Sequence, residues 1–236
     1  MKVKILFNFL FGLLLSIAQL NAALGQAPSG TRILFIGNSL SFTHNMPQIL
    51  EEISASFGYS VETLCICEPN YALIDHIDEG TYSVVLDTGQ WTHVVMQQGP
   101  SSQRTGMAML MDGSRQIGED ARAAGATPIM YMVWPSRAYS VNYPSVIGNY
   151  REASEQVGGG LWPVGEYWKA YEDRYEDYAL YGPDGFHPSQ AGAFFIALTM
   201  FHALYPEVEL KSLPRKVYGE WATKQQFLRM VTILNH

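Results

Sequence analysis

Ser39 follows the apolar run 33–36 and sits in the segment GNSLS. A serine hydroxyl is a weak nucleophile, and it attacks a carbonyl only when a base within hydrogen-bond reach takes its proton. The usual base is a histidine oriented by a carboxylate. Six histidines are present, and one has that company: PDGFHPS, residues 183–189, places Asp184 three residues before His187. A loop of this length can turn Asp184 onto one ring nitrogen and leave the other for Ser39. Taken alone, each piece also has a structural reading. Asp-Gly signals a turn, Pro188 with Ser189 starts a helix, and a serine after a strand is often a cap. The pair is stronger than either part, because both segments fall at expected strand-end loops near opposite ends of one domain.

Other residues compete for roles. Ser41 is a rival nucleophile, but Ser39 lies at the strand end. His44 is a candidate pocket residue, with a surface or capping role as the plainer alternative. Asp75 and His76 are adjacent in a helical stretch and point apart, which reads as structural. His202 lies in an apolar helix as a core residue, and His93 begins a strand. Trp134 stands at a strand's carboxyl end, followed by Pro135 and Arg137. Trp91, Trp134, Trp162 and Trp168 are more than a core requires, and Trp134 is the candidate for stacking on a sugar ring, against the packing role that most tryptophans fill.

These residues need elements to hold them. Apolar runs predict strands over 31–37, 60–67, 92–97, 128–134 and 160–164. Helical spacing of Met46, Ile49, Leu50, Ile53 and Phe57 predicts a helix that Asn45 and Gln48 cap and Gly58 stops. Further helices are expected over 71–88, 104–124, 145–157, 165–175, 189–204 (capped by Ser189) and 215–234. Such alternation predicts an α/β fold, a three-layer α/β/α sandwich around a mostly parallel five-stranded sheet. Ligands of open sheets sit beyond the carboxyl ends of the strands. Ser39, Gln97, Gln98 and Trp134 all fall there.

GNSLS after an apolar strand, together with DGFHPSQAG at 184–192, resembles the SGNH (GDSL-like) hydrolase superfamily. The likeness extends in layout over 31–205, while its specific motifs are the first and last blocks. It implies Ser39 as nucleophile, His187 as base and Asp184 as its partner. It also implies an oxyanion hole of three donors: the serine N–H, a glycine N–H after the second strand and an asparagine side chain after the third. This chain departs from that pattern. It reads EPNYAL after the second strand, so Asn70 or Tyr71 takes the glycine's place. It reads MQQGPSS after the third, so Gln97, or else Gln98, would offer the amide. Carbohydrate-directed branches of the superfamily also use glutamine there. The G-x-S-x-G elbow of lipase-type α/β-hydrolases is missing.

Composition bounds the rest. The chain has 236 residues and a formal net charge of −7, which argues against a nucleic-acid groove with its basic stripes. Residues 1–25 carry Lys2 and Lys4, the apolar run ILFNFLFGLLLSIA and then Ala22, Ala23 and Gly25. That is the layout of a secretory signal peptide. The run is shorter than the ~20 apolar residues of a spanning anchor. Cleavage after Ala22 or Gly25 leaves a single domain, 26–236, secreted or periplasmic, with no stable membrane insertion. Cys65 and Cys67 share one face of a strand. A bond between them would close a tight ring, so free thiols are expected even in an oxidising compartment, and no cluster of metal ligands surrounds them. No metal or organic cofactor is implied. The expected activity is hydrolysis of a small-molecule or glycan ester, with O-acetyl groups on carbohydrate as the leading substrate. The alternatives are a non-catalytic carbohydrate-binding protein, a lipid esterase or an acyltransferase on the same fold.

Overall fold

The structure is a computed structural model and describes residues 30–235. The expected signal segment lies outside them. Five strands form the sheet: β1 (Thr31–Gly37), β2 (Val61–Cys67), β3 (His93–Met96), β4 (Thr127–Tyr131) and β5 (Gly160–Trp162). Their order is β2-β1-β3-β4-β5, and every neighbouring pair is parallel. The central strands are buried on both faces, so they read as continuous apolar runs instead of alternating ones.

The helices are α1 (Ser39–Phe42), α2 (Met46–Ser56), α3 (Leu73–Glu79), α4 (Thr81–Thr88), α5 (Arg104–Ala123), α6 (Tyr143–Val157), α7 (Val164–Tyr175), α8 (Gln190–Leu204), α9 (Arg215–Tyr218) and α10 (Lys224–Leu234). Helices α3, α5 and α6 pack on one side of the sheet; α2 and α8 pack together on the other, where α7 and α10 join them. Helix α8 is buried from Ala191 to Phe201. A helix apolar all round suits a central position between layers. Ser189 caps it, accepting from Gly192 N–H at 3.1 Å.

Three expectations need correction. Asn45 does not cap α2 through its side chain; it sits at φ +55 and its amide meets Gln48 instead. The fourth strand stops at Tyr131, because beyond it the neighbouring chain has left β5 for α7: Met132 O accepts Gly165 N–H at 3.1 Å. Cys65 and Cys67 are joined in a disulfide, with their Cα atoms 5.3 Å apart. The two residues share one face of β2, and their Cα separation lies within the range that a disulfide spans.

Candidate active site

Strand order reverses at β1, which lies between β2 and β3. Open α/β sheets leave a crevice at such a switch point, beyond the carboxyl ends of the strands. Gly37 ends β1 there and Ser39 begins α1. Asn38 between them caps the short helix, its Oδ1 accepting from Leu40 N–H at 3.1 Å. The turn is tight. A Cβ on Gly37 would lie 2.6 Å from Gln97 Oε1 and 2.7 Å from Ser41 Oγ.

Ser39 and His187, 148 positions apart in sequence, are bridged by one hydrogen bond, Ser39 Oγ to His187 Nε2 at 2.9 Å. On the other side of the ring, His187 Nδ1 is 2.6 Å from Asp184 Oδ2. With Nδ1–H donating to the carboxylate, Nε2 presents its lone pair to the serine hydroxyl. Asp184 Oδ1 accepts the backbone N–H groups of Phe186 and His187, each at 3.0 Å. The hydrogen bond from His187, and next that from Phe186 N–H, hold the Asp184 carboxyl below its ordinary range. The loop is itself pinned: Gly182 N–H donates to His187 O at 2.7 Å, and Tyr181 pairs with Pro188 in an antiparallel bridge.

Ser41 is fully buried and donates to Gln97 Oε1 at 2.8 Å, which removes it as a rival nucleophile. Gln97 in turn is not free to receive an oxyanion. It is fully buried; its Oε1 accepts Asn38 N–H at 2.9 Å, and its Nε2 donates to Asn38 Oδ1 at 2.9 Å and Gln98 O at 2.7 Å. Both amide hydrogens are spent on shaping the turn that carries Ser39. Gln98 is likewise consumed, accepting from Leu73 N–H at 3.0 Å and donating to Ser101 Oγ at 2.9 Å and Gly106 O at 3.0 Å. Tyr71 N–H turns back to Glu68 O at 3.3 Å, while its carbonyl accepts from Asn38 Nδ2 at 3.0 Å. Among the described residues, the N–H groups of Ser39 and Asn70 have no acceptor. Asn70 is exposed at the tip of its turn, with φ +65.

Trp134 is not a platform for a sugar. It is fully buried, its ring stacked on Trp168 with centroids 3.6 Å apart, and its Nε1 donates to Phe186 O at 3.1 Å. Its position beneath the loop braces the residue before His187. His44 is exposed, at φ +56, and does not line the cleft beside Asp184 and Phe186. It lies in the turn Thr43–Asn45, which follows the Phe42 end of α1. His202 is only half-buried on α8, and His93 starts β3. Asp75 caps α3 by accepting Ala72 N–H at 2.7 Å.

Two contributors escaped sequence reading. Asn38 ties β1, β3 and the turn after β2 together, and its one visible signal is a capping-type residue ahead of a helix. His76 is buried, with Nε2 donating to Gly37 O at 2.8 Å, directly below the turn. Nothing in the spacing of the two segments signals that contact.

No family model matches the sequence, and no curated protein matches it. Solved structures do. A candidate SGNH hydrolase from Slackia heliotrinireducens is 26% identical with a TM-score of 0.64, the match covering 75% of this chain and all of that one. A DUF4886 family protein from Bacteroides uniformis is 16% identical with a TM-score of 0.72, covering 87% of this chain and 93% of that one. An acetyl xylan esterase is 13% identical with a TM-score of 0.59, covering 73% of this chain and 99% of that one. The fold of this chain is the α/β fold of the SGNH hydrolases.

Proposed function

We propose that this chain is a serine esterase that removes O-acetyl groups from carbohydrate outside the cytoplasm. The observation that carries the reading is the unbroken line of hydrogen bonds from Ser39 Oγ through the His187 ring to Asp184, at 2.9 and 2.6 Å. As Ser39 Oγ attacks the ester carbon, His187 Nε2 takes its proton. Asp184 holds the tautomer and offsets the imidazolium charge. The carbonyl oxygen becomes an oxyanion, which Ser39 N–H and Asn70 N–H are left to receive. The tetrahedral intermediate collapses and expels the alkoxide, which takes the proton from His187. Water then attacks the acyl-serine, His187 accepts its proton, and the acid departs while Ser39 recovers its hydrogen.

Acetyl-carbohydrate specificity is supported by the likeness to the acetyl xylan esterase and by the export signal read at 1–25. Among the described residues no helix is long and apolar enough to cross a membrane. The deciding assay is hydrolysis of p-nitrophenyl acetate by wild type and Ser39→Ala. Wild type should turn over, and the variant should lose about a thousandfold or more in kcat. Equal background rates in the two proteins would sink the proposal.

A further inference from the structure

A cleft of about 590 Å³ opens beside the catalytic loop, lined in part by Asp184 and Phe186. Its other walls come from the segments after β3 and β4, at the same rim of the sheet as Ser39. Resting on the esterase reading, we infer that this cleft holds the alcohol portion of the ester, and that this portion is an uncharged sugar.

Placement follows from the reaction. The leaving oxygen must take its proton from His187, so the alcohol lies on the histidine side of Ser39 and the acyl group on the other. The cleft is on that side, adjoining His187 through its neighbours Asp184 and Phe186.

The class of ligand follows from the lining. Pro135, Phe186 and Tyr139 supply apolar surface, and Tyr139 is 65% exposed. Gln103, Ser136 and Asn142 add neutral polar groups. All three stand at the N-cap positions of helical segments, yet none of their side chains caps. Serine and asparagine in such places ordinarily satisfy their own helix; here those groups remain available to a ligand. An acyl chain filling the cleft would strip water from them and return no hydrogen bond. A pyranose offers both an apolar ring face and neutral hydroxyls. No Lys or Arg lines the cleft, and its one charged group, Asp184, is committed to His187. A uronate or sulfate would face that carboxylate uncompensated.

The wall is formed in advance. Ser101 sits at φ +54, and its Oγ donates to Gly99 O at 2.8 Å and accepts from Gln98 Nε2 at 2.9 Å. Its carbonyl accepts from Asn149 Nδ2 at 2.8 Å. Gln98 thus serves the wall of this cleft, and a wall already ordered lowers the entropy cost of binding.

The test measures kcat and KM for glucose pentaacetate, an O-acetylated methyl glucuronide, tributyrin and ethyl acetate. Tyr139→Ala and Asn142→Ala are compared with wild type. Each substitution should lower kcat/KM for glucose pentaacetate about tenfold, chiefly through KM, and lower that for ethyl acetate, whose small alcohol reaches little of the cleft, by less than about twofold. Unchanged sugar kinetics in an enzyme active on ethyl acetate overturn this inference alone. A preference for the glucuronide overturns the uncharged sugar, and an equal loss on tributyrin overturns the sugar in favour of an acyl chain. If wild type hydrolyses none of the four, the esterase reading fails and takes the inference with it.

Discussion

Asp184 does two jobs through two oxygens, and they can be separated. Oδ2 orients His187, while Oδ1 folds the loop by accepting two backbone N–H groups. Asp184→Asn keeps an acceptor for the loop but presents an amide to the ring, favouring the wrong tautomer. We expect kcat on p-nitrophenyl acetate to fall by about 10²–10⁴, with a modest drop in melting temperature at neutral pH. A variant as active as wild type would mean that the ring needs no carboxylate. The acid limb of stability follows from the same carboxyl. Its folded-state pKa is depressed, so its contribution is complete above the ordinary aspartate range and is lost as pH falls through the lowered value. Thermal melts of wild type and Asp184→Asn should therefore converge as pH drops below about 4.

Gly37 shows how an element end becomes a site. Glycine is required where β1 meets Gln97 and Ser41, because a methyl group there has no room. Gly37→Ala should push the Gln97 amide off Asn38 and shift Ser39 from His187. Activity should fall at least tenfold, for a stability loss of about 1–3 kcal/mol. Full activity in that variant would show that the turn tolerates a looser geometry. The edge strand makes the opposite prediction. The Cys65–Cys67 bond closes a ring over one intervening residue, and the entropy removed from the unfolded chain grows with loop length. The double substitution Cys65→Ser, Cys67→Ser should change the urea midpoint little. A large fall in that midpoint would make the bond a structural staple of β2. Strands and helices themselves were legible from apolar runs and 3.6-residue spacing. The disulfide was misread because spacing along a strand does not give the Cα separation, which here is 5.3 Å.

Across the whole molecule, Glu172 links α7 to the catalytic loop's supports. It accepts Tyr143 OH and Trp168 Nε1, each at 3.1 Å, while Trp168 stacks on the Trp134 that braces Phe186. Burial raises the Glu172 carboxyl above its ordinary range, ahead of the hydrogen bonds that lower it. For a raised acid, the stabilising contribution is complete below the unfolded pKa and is lost as pH climbs through the folded one. On acidification toward the ordinary glutamate range Glu172 should contribute a gain in stability that Glu172→Gln lacks; parallel pH–melting curves of the two proteins would refute the assignment. The amino-acid order by itself determined the α/β class and the five strands, because these depend on local periodicity; it marked Ser39, Asp184 and His187 as candidates, and the tertiary structure brings them into one hydrogen-bonded line. Only the tertiary structure decided what Gln97, Gln98 and Trp134 do. Each is a polar or amphipathic side chain at a strand end. Whether such a group meets a ligand or a neighbour depends on which segments from elsewhere in the chain reach it first, and here Asn38, Ser101 and Phe186 do.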